Sequence, residues 1–105
     1  GRSMTTRLDI KDRTNDLLDV ALQLAVDHGW RALTHHGVAV AAHVSNGLVV
    51  ARLGTKQEML RAVMRRAVNR GVVPVVAEGL AVGDKHARRA GEALREAAAE
   101  HVRSA

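Results

Sequence analysis

The sequence contains no cysteine, tyrosine or phenylalanine, and it has a single tryptophan and a single proline. The absence of cysteine excludes disulfide bonds and thiolate metal sites. No apolar run approaches the roughly 18 residues that a membrane span needs, and no charged-then-apolar signal stands at the N-terminus. Strand-forming aromatic residues are nearly missing while alanine and leucine are plentiful, so the composition predicts an all-α protein. The missing span and signal predict a cytoplasmic protein. No cofactor is expected.

The net charge of +5 is concentrated in one segment of the chain. Residues 1–51 and residues 71–105 each carry five basic and five acidic side chains, so both are neutral. The whole excess lies in residues 52–70, whose charged side chains are Arg52, Lys56, Arg61, Arg65, Arg66 and Arg70 against Glu58. A localised basic segment is typical of a nucleic-acid surface. It fits a solvated helix face equally well, so charge alone leaves both readings open.

Helix caps divide the first half of the chain. Residues 1–12 are polar and are expected to form a flexible arm that begins with a cloning remnant. A helix is expected to begin near Thr14, whose hydroxyl can cap the following amides, and to end at Gly29. Two short helices are expected after Thr34 and after Ser45 or its neighbour, with a tight turn between them.

The second half is divided in the same way. Thr55 opens a capping box that begins a basic helix, and Gly71 is expected to end this helix. Pro74 suits the first turn of another short helix. Asp84 is expected to cap one last helix over residues 85–103.

Two short helices joined by a tight turn and followed by a basic helix form a helix-turn-helix arrangement. We therefore expect a three-helix DNA-binding region with a basic fourth helix in residues 13–71. Short helices for dimerisation are expected in residues 72–105. The last of them has a face of small apolar side chains, which allows a second copy to approach closely. This face predicts a homodimer seam at Ala87, Ala90, Gly91, Leu94 and Ala98.

Residues 14–60 resemble the DNA-binding domain of TetR-type repressors, and the likeness needs no gap. The positions that carry it are Gly29, Trp30, Leu33, Thr34, Val38, Ala39, Ala42, His43, Val44, Ser45, Gly47, Val50, Ala51, Arg52, Leu53, Thr55, Lys56, Met59 and Leu60. His43 replaces a turn glycine of that family, and Val50 replaces a tyrosine that binds phosphate. The resemblance implies binding to double-stranded DNA, with the second short helix as recognition helix in the major groove.

Length separates this chain from most members of that family, which add a helical domain that binds a small molecule. About 35 residues follow Gly71, too few to enclose a ligand pocket of roughly 300 Å³. We therefore expect either a minimal repressor without small-molecule sensing, associated with the bacterial nucleoid, or a fragment of a larger regulator. It would bind a palindromic operator as a homodimer, in the manner of a plasmid or phage regulator.

Base contacts are expected from the start of the recognition helix. Asn46 suits adenine, Gly47 allows close approach of the backbone, and Leu48 suits a thymine methyl group; His36 is a further base-contact candidate. Phosphate contacts are expected from Thr34, His35, Ser45, Arg52, Thr55 and Lys56. Asn46 also suits a plain helix cap, Leu48 the core, and either histidine an inert exposed position.

Other functions find little support in the sequence. No Ser–His–Asp order, paired carboxylate or phosphate loop stands out, so the protein is not expected to be an enzyme. The spacing of His35, His36 and His43 resembles no standard metal site. The alternative function is a helical interaction module whose basic helix binds an acidic protein partner, and the apolar run of residues 48–51 favours it.

Overall fold

The computed structural model describes the backbone of residues 7–104 and the side chains of residues 13–104. Within that range the fold is all-α, as predicted, and contains no strand. Its helices are α1 (Arg7–His28), α2 (His35–Ala42), α3 (Asn46–Leu53), α4 (Lys56–Arg70), α5 (Val73–Ala81), α6 (Lys85–Arg88) and α7 (Glu92–Ser104).

The start of α1 differs from the prediction. The helix begins at Arg7, so the expected cap at Thr14 is wrong. No glycine or proline occurs between Arg7 and His28, and without such a breaker the helix continues through the threonine. Of the arm expected over residues 1–12, residues 7–12 belong to α1, and residues 1–6 lie outside the described residues.

The three predicted hydroxyl caps around the short helices are confirmed. Thr34 Oγ1 accepts a hydrogen bond from the backbone N–H three residues later at 2.9 Å, Ser45 Oγ accepts the equivalent bond at 3.0 Å, and Thr55 Oγ1 does so at 3.1 Å. Each bond satisfies one of the amides that a helix start leaves unpaired. These caps fix where α2, α3 and α4 begin and hence the lengths of the turns between them.

One apolar core joins all seven described helices. Its most deeply buried large side chains come from α2 to α5 and are Val38, Val49, Met59, Val63, Met64, Val75 and Val76. Residues from α1, α6 and α7 complete the same cluster, among them Leu17, Ala21, Ala87 and Ala98. The C-terminal helices are therefore packed onto the N-terminal ones rather than standing apart from them.

The single helix expected over residues 85–103 is wrong, because the chain breaks between α6 and α7. Asp84 caps α6 as predicted, with Oδ2 accepting two backbone N–H bonds at 3.0 Å. Arg95 Nε donates to the carbonyl of Ala90 at 2.9 Å, which satisfies an acceptor that the break leaves open. Gly91, a poor helix former, lies at the break.

The small side chains of this region face the inside of the same protomer. Ala87, Ala90 and Ala98 are 0%, 5% and 0% exposed. A Cβ added to Gly79 of α5 would lie 2.8 Å from the Ala87 Cβ and 2.5 Å from the Met64 Cε, so small residues let α4, α5 and α6 approach closely. This corrects the basis of the expected dimer seam, since these three alanines already have a partner within the chain.

Candidate nucleic-acid interface

The turn between α2 and α3 depends on a left-handed residue. His43 has φ 60° and ψ 43°, the conformation that glycine adopts most easily. Its N–H donates to the carbonyl of Val40 at 3.3 Å, and the N–H of Val44 donates to that of Ala39 at 3.1 Å. This pair of bonds is a Schellman closure of α2. The residue that replaces the family's turn glycine therefore adopts the positive φ that glycine would supply.

Helix α3 is anchored on one side and open on the other. Val49 and Leu53 bury their side chains in the core. Leu48 and Arg52 are half-buried at the edge of the helix. The side away from the core consists of exposed residues, namely Asn46, Gly47, Val50 and Ala51. The helix therefore presents a free surface of the kind that can enter a DNA groove.

Gly47 is not required by the packing of this chain. A Cβ built there meets no described atom within 4 Å, and Gly47 is not among the positive-φ glycines. A glycine inside a helix costs about 0.5–1 kcal/mol relative to alanine. Nothing within the described part of the molecule offsets that cost, and the open space at Gly47 is compatible with the predicted close approach of the helix backbone to DNA.

The two histidines of α2 differ in their surroundings. His35 Nε2–H donates to the carbonyl of Gly54 at 2.7 Å and so ties α2 to the turn that precedes α4. This bond occupies Nε2, so the phosphate contact predicted for His35 would use Nδ1 and stays a prediction. His36 is exposed on the same helix and stays a candidate for contact with DNA.

The start of α4 combines a cap with a cation. Glu58 Oε1 accepts the backbone N–H of Thr55 at 2.9 Å, and this bond, with the Thr55 hydroxyl and the nearby Arg61, lowers the pKa of the Glu58 carboxyl despite slight desolvation. The amide of Thr55 is therefore committed within the chain. Lys56 is exposed beside it. The attraction of phosphate predicted for this terminus therefore depends on the charge of Lys56.

Arg52 lies at the far end of α3 in a groove of about 440 Å³ between α1, α3 and α4. Arg61 and Arg65 line the same groove. The Nε of Arg52 is buried and has no hydrogen-bond partner among the described residues. Three guanidinium groups against one carboxylate, that of Glu58, leave this groove at the end of α3 with a net positive charge.

The other two arginines of the basic segment are paired with α1. Arg70 Nη1 lies 2.7 Å from Asp19 Oδ1, and Arg66 Nη2 donates to Asn15 Oδ1 at 2.9 Å. Arg66 Nε also lies 3.6 Å from Asp19 Oδ1. These contacts fasten α4 to α1 and partly neutralise its C-terminal half. The sequence does not reveal them, because the partners are 51 residues apart.

A second cross-connection holds the segment before α2. Glu78 of α5 accepts the backbone N–H of Trp30 at 2.6 Å and that of Arg31 at 3.0 Å. Trp30 is buried, and its Nε1–H donates to the carbonyl of Leu60 in α4 at 2.9 Å. Sequence reasoning missed this pairing. The available signal was a single carboxylate within the otherwise apolar α5.

Residues 17–63 match the family model described as bacterial regulatory proteins, tetR family. The matched residues include the whole of α2 and α3, the turn between them and the start of α4. No curated protein and no solved structure matches the chain. Within residues 7–104, no helix is long and apolar enough to cross a membrane.

Proposed function

Residues 17–63 are a TetR-type helix-turn-helix DNA-binding domain, and from that premise we propose that the protein is a repressor that binds a palindromic operator in double-stranded DNA as a homodimer. The observation that carries the proposal is the placement of α3. Its inner face is anchored by Val49 and Leu53, and its outer face is exposed. A recognition helix needs this combination of rigidity and access.

The contacts to the DNA backbone follow from the groups around α3. The oxygens of Thr34 and Ser45 accept bonds within the chain, and each hydroxyl proton is left to donate to a phosphate oxygen. The hydroxyl of Thr55 is engaged with Glu58, so a phosphate contact of Thr55 requires that bond to be exchanged. Arg52 and Lys56 supply positive charge at the end of α3 and the start of α4. Phosphate contacts of this kind position the helix without reading sequence.

Base contacts are assigned to the exposed N-terminal part of α3. Asn46 stands free of the core and suits the N6 and N7 atoms of adenine. Gly47 lets the helix backbone approach the bases. Leu48 is half-buried, and its exposed part is assigned to a thymine methyl group. His36 is exposed on α2 and is assigned a further base contact.

A palindromic operator requires a second copy of the chain. Two recognition helices would then meet half-sites about 34–36 Å apart. Of the seam predicted from sequence, Gly91 is exposed and Leu94 is half-buried, and Val102 on the same side of α7 is largely exposed. We assign the homodimer contact to this side of α7, within the oligomerisation segment of residues 72–105.

We also propose that repression depends only on occupancy of the DNA, with no small-molecule effector. The protein would act in the cytoplasm, at the nucleoid. The support is the packing of the C-terminal helices. Val75, Val76 and Ala87 fill the space between α4, α5 and α6, and Gly79 closes it further. The repressor blocks its operator while bound, and release depends on DNA affinity and concentration.

The test is selection of bound duplexes from a random pool, followed by titration with salt. A sequence preference should emerge, and the logarithm of affinity should fall against the logarithm of salt by about 0.9 per neutralised phosphate. Asn46→Ala should relax the preference, and Lys56→Gln should weaken all duplexes alike. If no duplex is enriched and neither change affects binding, the helices instead form a scaffold for an acidic protein partner.

A further inference from the structure

The outer face of α3 lacks hydrogen-bonding side chains beyond its first residue. After Asn46 it consists of Gly47, Val50 and Ala51, with the edge of Leu48 beside them. Val50 is 43% exposed although it is a large apolar side chain. Reading a guanine requires a donor such as arginine or lysine at its O6 and N7 atoms. This face carries no such donor.

Val50 differs from the other exposed valines in lying on α3. The large apolar residues with high exposure in the described chain are Val26, Val40, Val50, Val82 and Val102. Of these, Val50 alone belongs to the recognition helix. An exposed valine gains little from the core, so the side chain of Val50 is available to a surface that covers the outer face of α3.

Thymine has an apolar group in the major groove, the 5-methyl, and alanine-sized or methyl-bearing side chains contact it. Resting on the proposed function, we propose that Val50, with Ala51 beside it, is the specificity-determining residue that selects thymine 5-methyl groups. The half-site then carries A·T pairs where the outer face of α3 meets the bases. Asn46, at the start of that face, reads adenine in the same stretch.

The experiment removes one thymine methyl group of the DNA at a time. In the duplex selected from the random pool, each thymine of one half-site is exchanged in turn for 2′-deoxyuridine, which lacks only the 5-methyl group. Burial of one methyl is worth about fourfold in affinity. We expect a loss of about this size at one or two adjacent positions and no change elsewhere in the half-site.

Two variants and a control connect that loss to Val50. Val50→Ala removes both γ-methyl groups, which extend beyond the Cβ, and should abolish most of the difference between thymine and deoxyuridine at the sensitive positions. Val50→Thr should keep the difference, because threonine retains one γ-methyl group. Val82→Ala is the matched control, since Val82 is 44% exposed, close to the 43% of Val50, and lies at the end of α5. It should leave the difference unchanged.

The outcomes separate this inference from the proposed function. If sequence-specific binding is found but every deoxyuridine duplex binds like its thymine parent, Val50 does not read methyl groups. A difference that persists undiminished in Val50→Ala would overturn the assignment in the same way. If no sequence preference exists at all, the proposed function fails together with the inference.

Discussion

The backbone N–H of Trp30 donates a 2.6 Å hydrogen bond to the carboxylate of Glu78, which lies 48 residues further along the chain. The other carboxylate oxygen accepts the backbone N–H of Arg31 at 3.0 Å. The segment that leads into α2 is thereby held by α5. The C-terminal helices thus help to hold the helix-turn-helix, and the described helices share one core across the boundary expected at residue 71.

The first prediction concerns Glu78→Gln. The side chain is 23% exposed, and its loss of charge weakens two hydrogen bonds from backbone amides. We expect the free energy of unfolding at neutral pH to fall by roughly 1–3 kcal/mol. Urea unfolding followed by circular dichroism measures this change.

The same contact makes stability depend on pH. Burial of Glu78 alone would raise the pKa of its carboxyl, but the hydrogen bonds from Arg31 and Trp30 and the Arg31 charge together lower it below its ordinary 4.5. A lowered pKa means that the contribution is complete above the ordinary value and is lost as pH falls through the folded-state value. Glu78→Gln should therefore reduce the loss of stability on acidification. Glu96→Gln, at an exposed position of α7, serves as control.

The second prediction concerns the left-handed residue between α2 and α3. A non-glycine residue in this conformation costs about 1–2 kcal/mol. Substitution by glycine relieves this backbone strain, but part of the gain in stability is lost because glycine has greater conformational freedom in the unfolded chain. We expect His43→Gly to raise the free energy of unfolding by about 1 kcal/mol.

The control for that change is His36→Gly, since His36 is exposed within α2, where glycine is a poorer helix former. This variant should not gain stability. A loss of stability in His43→Gly would show instead that the imidazole makes contacts worth more than the backbone strain.

Local signals predicted much of this fold. The caps at Thr34, Ser45 and Thr55 and the end of α4 at Gly71 each depend on residues within one helical turn, so the sequence contains the information needed to place them. His43 was noted as the replacement for a turn glycine, and the structure gives it the positive φ of such a glycine. The resemblance of residues 14–60 to TetR-type repressors agrees with the family match over residues 17–63.

Features that depend on distant partners were missed. Asp19 pairs with Arg70 and Glu78 with Trp30 across 51 and 48 residues, and nothing near either carboxylate in the sequence indicates its partner. The break before α7 was missed although Gly91, a poor helix former, lies at it. The start of α1 was misplaced because a threonine is compatible with a helix interior as well as with a cap.

The third prediction concerns Gly47→Ala. A Cβ at this position meets no described atom, so alanine should raise the free energy of unfolding by up to about 1 kcal/mol. The same methyl group would lie between α3 and the bases, so affinity for the selected duplex should fall. Opposite changes in stability and binding indicate that glycine serves the complex rather than the fold.

Gly79→Ala is the matched control for Gly47→Ala. Its Cβ would lie 2.5 Å from the Met64 Cε, so this change should lower stability. If Gly47→Ala leaves duplex affinity unchanged, the backbone of α3 does not approach the DNA closely at this position.

The last prediction separates free cations from paired ones. Arg52 has a buried Nε without a partner among the described residues, whereas Arg70 is held by Asp19 at 2.7 Å. Arg52→Gln should reduce the slope of log affinity against log salt by about 0.9, the value for one phosphate contact. Arg70→Gln removes the same formal charge but should change the slope little. Both groups of the Arg70–Asp19 pair are about half exposed, so its removal costs no more than about 1 kcal/mol of stability. Equal slopes for the two variants would mean that affinity responds to net charge alone, and the position of Arg52 at the end of the recognition helix would then have no special role.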